Sequence, residues 1–441
     1  MGNETNNAIV PRLRFPEFQD AGEWESMQLS KLGQTFGGLT GKSANDFDSG
    51  KPYVTYKQIF NDSRVDVSKC GFVTIATNEN QNSLQYGDVL FTMSSETPDE
   101  IGYASVVLEI LDEPIYLNSF CFAFRPFCLN SLRPEFSRYL FHSPIYRKTI
   151  SELAQGITRY NISKTNFSNL ELPIPSKTVE QNKIADCFFS IDDIITTQTQ
   201  KIEVLKAHKK GLMQQLFPEK GETVPKLRFS EFQNKGEWRE KTLGNFIESY
   251  RGGAPLTPSD FVTNSNYEII PKKAINEGMW LNIENSTYCT EEFYKNNEQS
   301  VVDKTHLITT LRDLVPTGPT IGYIVKYNSE KIYILAQGVY GIKLKDTLVP
   351  DFLIHFSNTN KYRKLINAIM VGSTQVHVRN GDFFKIPICI PSRKEEQQKI
   401  ANCLSSLDDL ITAQSRKIET LKAHKKGLMQ QLFPNTNDAY K

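Results

Sequence analysis

Between residues 180 and 218, apolar or seam positions fall at Ile184, Phe188, Ile191, Ile195, Gln198, Ile202, Leu205, Lys209, Leu212 and Leu216, in steps that alternate four and three. That spacing is a heptad and predicts one long helix with a narrow apolar stripe. The same rhythm returns at Ile400, Leu404, Leu407, Ile411, Gln414, Ile418, Leu421, Lys425, Leu428 and Leu432. Pro173 and Pro175 lie before the first stretch and Pro218 after it, so prolines bound the helix on both sides. At about 1.5 Å per residue each helix is on the order of 55–60 Å long. A lone helix cannot bury such a stripe, so the two copies are expected to form a coiled coil with each other. Gln198, Lys209, Gln414 and Lys425 are polar seam positions, which cost stability but restrict register and partner choice. The two lysines are read as snorkelling at the rim; the alternative is contact with another subunit packed on the helices. Asp192-Asp193 and Asp408-Asp409 are adjacent on these helices and point about 100° apart, which predicts a solvated face rather than a metal site.

The pattern changes between the helices. Residues 26–170 and 240–385 are rich in Thr, Val, Ile, Tyr and Phe, with alternating runs such as "GDVLFTMSS" (87–95), "SFCFAFRP" (119–126), "IGYIVKY" (321–327) and "IYILAQGVYGIKL" (332–344). Such runs predict strands. Residues 133–156 and 349–372 read as broken helices, with Gly156 and Gly372 expected just past their ends. The expected organisation is α+β. Mixed α/β domains at 1–178 and 218–394 alternate with long helices at 179–217 and 395–434, and 435–441 is a tail.

This is a duplication. "EQNKIADCFFSIDDIITTQTQKIEVLKAHKKGLMQQLFP" (180–218) aligns without gaps to "EQQKIANCLSSLDDLITAQSRKIETLKAHKKGLMQQLFP" (396–434), with about three positions in four identical. "PRLRFPEFQDAGEWE" (11–25) matches "PKLRFSEFQNKGEWR" (225–239), and "LELPIPSKTVEQ" (170–181) matches "IPICIPSRKEEQ" (386–397) more loosely. The order is leading motif, variable region, Pro-rich strand and helix, then the same again, an internal repeat of the kind that governs a whole fold.

Composition narrows the function. The 441 residues are 39% hydrophobic and 23% charged, an ordinary globular mix with enough apolar material for more than one core. Net charge is +1, which weighs against holding nucleic acid by bulk electrostatics but leaves room for local basic surfaces. No run of 18 apolar residues occurs, so no membrane span is expected, and "MGNETNNAIVPRLRF" has no apolar core of a secretory signal. Seven scattered Cys point to a reducing cytoplasm rather than to disulfides or zinc. His208 and His424 are repeat counterparts and belong first to the architecture. "GGLTGKS" (37–43) fails as a phosphate loop, because Phe36 stands where a glycine is required. No GxGxxG after a strand, [DN]PP[FYW], HExxH, GxSxG or Cys–His arrangement is present. A chain of this length without a catalytic constellation is expected to be a reader or a scaffold, with no metal of its own.

The polar loops are the candidate reading surfaces. Thr40 and Lys42 lie in the glycine-rich loop. Tyr56, Lys57 and Gln58 align roughly with Pro271, Lys272 and Lys273, and Ser94 and Ser95 loosely with Arg312. "QGITRYNISKTNF" (155–167) carries Thr158, Arg159, Tyr160 and Asn161; its counterpart "VGSTQVHVRNGDF" (371–383) carries Thr374, Gln375, His377 and Arg379. Arg, Asn and Gln can bond base edges bidentately, whereas Lys and Thr suit phosphates. For each residue singly, a plain surface role competes with a DNA contact.

A variable region, then "GITRYNISKTNFSNLELPIPSKTVEQNKIA", then a long helix, all duplicated, resembles the specificity subunit of type I restriction–modification enzymes. The likeness runs from about residue 11 to 434 and is most specific at Pro173, Pro175, Glu180 and Gln181, and at Pro387, Pro391, Glu396 and Gln397. The second copy departs at "GSTQVHV", where the first has "GITRYNI". The resemblance implies two target-recognition domains joined by two antiparallel helices, each domain reading half of a split, asymmetric DNA target with a fixed spacer. It also implies two methyltransferase subunits that hold S-adenosylmethionine and methylate adenine. Two restriction subunits would use ATP and Mg to translocate and cut DNA, leaving this chain with no cofactor. A stand-alone DNA-binding repressor and a coiled-coil adaptor that never touches nucleic acid are the competing readings. Tight specific binding without a partner would favour the first. Failure of the intact complex to bind DNA would favour the second.

Overall fold

The structure is a computed structural model and describes residues 9–156, 159–327 and 329–434. Thr158 therefore lies outside the described residues. The chain divides into two compact units, the first containing residues up to 198 together with 417 onward, the second residues 199–416. Each long helix, Thr178–Leu216 and Lys394–Leu432, is thus shared by both units. Among the described residues no helix is long and apolar enough to cross a membrane.

In the first unit a four-stranded sheet is ordered Gly33–Gly37, Cys121–Pro126, Val89–Thr92, Ala104–Val106. A three-stranded sheet is formed by Gly71–Val73, Phe47–Val54 and Tyr116–Leu117. The alternation in "SFCFAFRP" places Phe122 and Phe124 on one face, where they meet Phe91, Phe141 and Phe167 in the core. The second unit repeats the plan. Its four-stranded sheet is ordered Ile247–Gly252, Val339–Leu344, Leu307–Thr310, Ile324–Val325, and a five-stranded sheet stands beside it. The broken helices are Pro134–Leu140 with Pro144–Glu152, and Pro350–Ser357 with Asn360–Ile369. Gly156 and Gly372 do not cap them as expected. The helices end at Glu152 and Ile369, and the two glycines sit in the tight loops that follow, at φ 145° and 115°.

The repeated motifs are the joints of each unit. Glu180 is buried and receives a bidentate pair from Arg14 at 2.7 Å and the indole N–H of Trp24 at 3.2 Å. Glu396 does the same for Arg228 and Trp238. Gln181 accepts from the Arg133 amide and donates to the carbonyls of Ser131 and Pro175; Gln397 accepts from Val349 and donates to Thr347 and Pro391. The Glu-Gln pair thus ties the leading motif and the loop before the broken helix onto the start of each long helix, satisfying buried polar groups that would otherwise be costly.

Within each unit the two helix segments run antiparallel. In the first, Phe188 stacks on Phe433 and Asp192 pairs with Lys425. In the second, Lys209 pairs with Asp408, and Met213, Leu216 and Phe217 share a core with Ile400, Ala401 and Leu404. Ile184, Ile202, Ile400 and Ile418 are buried, whereas Ile191, Ile195, Leu205, Leu407, Ile411 and Leu421 are half-buried. Two expectations are corrected. Lys209 and Lys425 do not snorkel at a rim but donate to Asp408 and Asp192 at 2.6 and 2.5 Å, and these aspartates are half-buried rather than on a solvated face. The cause is reciprocal: a lysine in a helix seam needs a counter-charge, and the repeat supplies one from the facing helix. Asp192 also takes Arg138 at 3.1 Å and the Tyr139 hydroxyl. The Oε1 atoms of Gln198 and Gln414 are buried without a partner among the described residues.

His142 marks a difference between the units. Its Nε2 lies 2.8 Å from the Ala104 carbonyl, and burial, helped by Arg147, Lys425 and Arg138, pushes its pKa down to about 4. The neutral imidazole is favoured in the folded state, so its contribution is complete above the ordinary histidine range and is lost as pH falls through about 4. Between pH 7 and 4.5 the first unit is expected to lose on the order of 2 kcal/mol by this route. Asn358 holds the equivalent place in the second unit, bonded to the carbonyls of Gly278 and Ile354. H142N should therefore flatten the pH dependence of the first unit's urea transition while leaving that of the second, where burial pushes the pKa of His355 down to about 3, as it was; an unchanged first-unit slope would assign its acid sensitivity elsewhere.

Candidate nucleic-acid interface

The same backbone scaffold carries different side chains in the two units. In the first, the short strand Tyr160–Asn161 pairs with Ser94–Ser95, in register Tyr160 to Ser95 and Asn161 to Ser94. In the second, Val376–His377 pairs with Arg312–Asp313, His377 opposite Arg312. The loops before these strands are closed by reciprocal backbone bonds between Gln155 and Asn161 and between Val371 and His377. A Cβ on Gly156 or Gly372 would lie about 2 Å from the carbonyl oxygen of Arg159 or Gln375, so only glycine fits either loop.

A third element completes each surface, the turn at 118–120 or 336–338. Gly38 and Gly253 pack against it so closely that a Cβ would meet the carbonyl of Asn118 at 2.0 Å or of Ala336 at 1.9 Å. Leu39 and Ala254 donate to the carbonyls of Leu117 and Leu335. What stands on the turn differs: Phe120 in one unit, Gly338 at φ 84° in the other, with Arg312 and Lys272 filling the room beside Gly338.

Several candidates meet on this surface in the first unit. Arg159 is exposed, donates to the Ser94 hydroxyl at 3.1 Å and lies over the Phe120 ring at 5.6 Å. The Tyr56 hydroxyl donates to the Ser94 carbonyl at 2.7 Å. Lys57 and Asn161 are exposed and Tyr160 is half-buried. Other candidates are structural. Gln58 is buried and donates to the Asp66 carbonyl. Ser94 and Ser95 are buried, the latter bonded to Glu100, so they hold the surface rather than form it. Lys42 is paired with Glu79 and donates to the Thr74 carbonyl at 2.7 Å, with 7% of its side chain exposed, so it is not available to a phosphate. Thr40 is exposed, its backbone held by Gln81.

In the second unit Lys273, Arg312, Thr374, Gln375 and Arg379 are exposed, and Lys272 and His377 are half-buried. This surface is the more cationic of the two, which suits phosphate contact and bidentate base contact by Arg and Gln. No group of three or more His, Cys, Asp or Glu able to hold a metal occurs among the described residues. Sequence reasoning missed Phe120. It stands in an alternating apolar run with Phe122 and Phe124, but the strand begins at Cys121, so Phe120 is left on the turn and is 55% exposed.

Two copies of one scaffold with divergent polar surfaces define a duplicated recognition subunit. The chain belongs to the type I restriction modification DNA specificity domain family, whose sequence profile matches residues 21–207 and again 235–423; it is a type I restriction–modification DNA specificity subunit. It is 27% identical over 419 residues to a protein of Methanocaldococcus jannaschii provisionally named the MjaX type I restriction enzyme specificity subunit, covering 93% of each chain. It is 24% identical over 299 residues to the MjaVIII specificity subunit of the same organism, covering 67% of this chain and 69% of that one. In fold it is similar to the S subunit of a type I system from M. genitalium, with a TM-score of 0.56 at 14% identity, over 97% of this chain and 100% of that one.

Proposed function

We propose that each unit reads one half of an asymmetric, bipartite sequence in double-stranded DNA, and that the two long helices fix the unread spacer between the halves. The supporting observation is the pairing of a repeated scaffold with different readers: Asn161, Arg159 and Phe120 in one unit stand where His377, Gln375 and Gly338 stand in the other. Identical readers would suit a palindrome; these do not. The repeated helices and leading motifs offer two equivalent faces, as two copies of one partner require. In this reading two methyltransferase subunits dock there, supply S-adenosylmethionine and methylate an adenine that leaves the base stack. Two restriction subunits bring ATP and Mg for translocation and cleavage, and this chain works in the cytoplasm without chemistry of its own. The test is sequencing of methylated adenine in cells carrying the chain with its methyltransferase, against cells lacking only the chain. A split, asymmetric motif methylated only in the first is expected. An identical methylation pattern in both would defeat the reading and favour the adaptor.

A further inference from the structure

We infer that Phe120 enters the base stack of the target at the half-site read by the first unit, and that the second unit does not distort its half-site in this way. The inference rests on the reading of both units as DNA readers.

The ring is placed by rigid backbone. Phe120 donates its amide to the Asn118 side chain at 2.9 Å, and its carbonyl accepts from the Met93 amide at 3.1 Å. Gly38 packs against the same turn at a distance that excludes any side chain. The ring cannot swing into the core, where Phe122 and Phe124 already fill the space between sheet and helices. It therefore stays 55% exposed, beside the Arg159 guanidinium and on the turn bonded to Met93, the residue before the Ser94–Ser95 strand that pairs with Tyr160–Asn161.

Exposure alone would say little, since Ile110, Phe127 and Phe72 are also exposed. Phe120 differs in its neighbours. The Arg159 guanidinium over the ring supplies positive charge beside an apolar edge, a pairing suited to a polymer whose phosphates flank stacked bases. Apolar side chains that enter duplex DNA partly unstack a base step and kink it, and aromatic side chains stack on bases with little regard to identity. At the equivalent point of the second unit, Gly338 leaves no ring, and a Cβ there would lie 3.2 Å from the Arg312 Cβ. The second surface thus offers hydrogen bonds and charge where the first offers a wedge. The expected consequence is an asymmetry of DNA shape, with one half-site selected partly by how readily one of its steps opens.

The test uses the full chain assembled with its methyltransferase on a duplex bearing the methylated motif. 2-Aminopurine is placed at successive positions through the motif, and its fluorescence reports unstacking. Positions of adenine extruded for methylation are expected to brighten in every variant; one further position, in one half-site only, is expected to brighten with the wild-type complex and with F120W and to stay dark with F120A. Affinity should fall on the order of ten-fold in F120A, and an abasic site at the responsive position should restore most of it. A fluorescence pattern that F120A leaves unchanged, or an affinity loss that no abasic site relieves, overturns the inference while leaving the DNA-reading role intact. A wild-type complex that binds no duplex defeats the underlying reading instead.

Discussion

Replacing Glu396 by Ala is expected to destabilise the second unit by about 3–5 kcal/mol, the cost of leaving one partner of a buried ion pair without the other. The carboxylate is 1% exposed and accepts from both arms of Arg228, at 2.7 and 2.8 Å, and from the Trp238 indole at 3.1 Å. Truncation strands a guanidinium that is itself 8% exposed, together with a buried N–H donor. Urea unfolding followed by tryptophan fluorescence should show one transition moving to lower denaturant, because Trp238 and Trp280 belong to the second unit and Trp24 to the first. R228M/E396M, which removes both charges, should recover most of the loss. By contrast, cutting the exposed Lys304–Glu330 pair should cost less than about 1 kcal/mol. A shift of that small size for E396A would show that the pair is not what fastens the leading motif to the helix.

Inserting one heptad after Gln198 and one after Gln414 should abolish methylation of the native target and create activity on a target with a longer spacer. Seven residues preserve the seam, because the pattern of half-buried positions repeats with the heptad on both helices. They add about 10 Å of helix, the rise of about three base pairs of DNA. Each unit's own core lies away from the insertion points, so each half-site should still be read. Loss on the old target should be on the order of a thousand-fold, since only one half can then be engaged. Methylome sequencing of cells carrying the doubly lengthened chain provides the readout. An unchanged spacer would mean that something other than the helices sets it.

The long helices were legible because a heptad is a strong one-dimensional signal, and the repeat made the two-unit plan legible without any alignment. The roles of the Glu-Gln pairs were not. Glu180 and Gln181 are satisfied by residues such as Arg14 and Arg133, far away in sequence. For the same reason Lys209 and Lys425 were misjudged: their partners Asp408 and Asp192 lie on the other helix. Of the candidate readers, exposure kept Lys57, Arg159, Asn161, Arg312, Gln375 and Arg379 on the surface. Gln58 and Lys42 have reader chemistry but spend it internally, a distinction that depends on contacts rather than on residue type.

The sharing of each helix between two units has a consequence for the order in which the protein is made. The second unit is a continuous stretch, 199–416. The first is not: its core includes Met429, Leu432 and Phe433, and Trp24, Phe136 and Phe188 pack against Phe433. Domains tend to fold in the order they leave the ribosome. Here that order is inverted, because the first unit waits with its aromatic face uncovered until residue 433 has left the ribosome. Nascent chains held by an added C-terminal linker so that residues up to about 416–425, but not 429–433, have left the ribosome should therefore present a folded second unit and a protease-sensitive first one, and a chaperone has its longest opportunity on the part of the protein that is synthesised earliest.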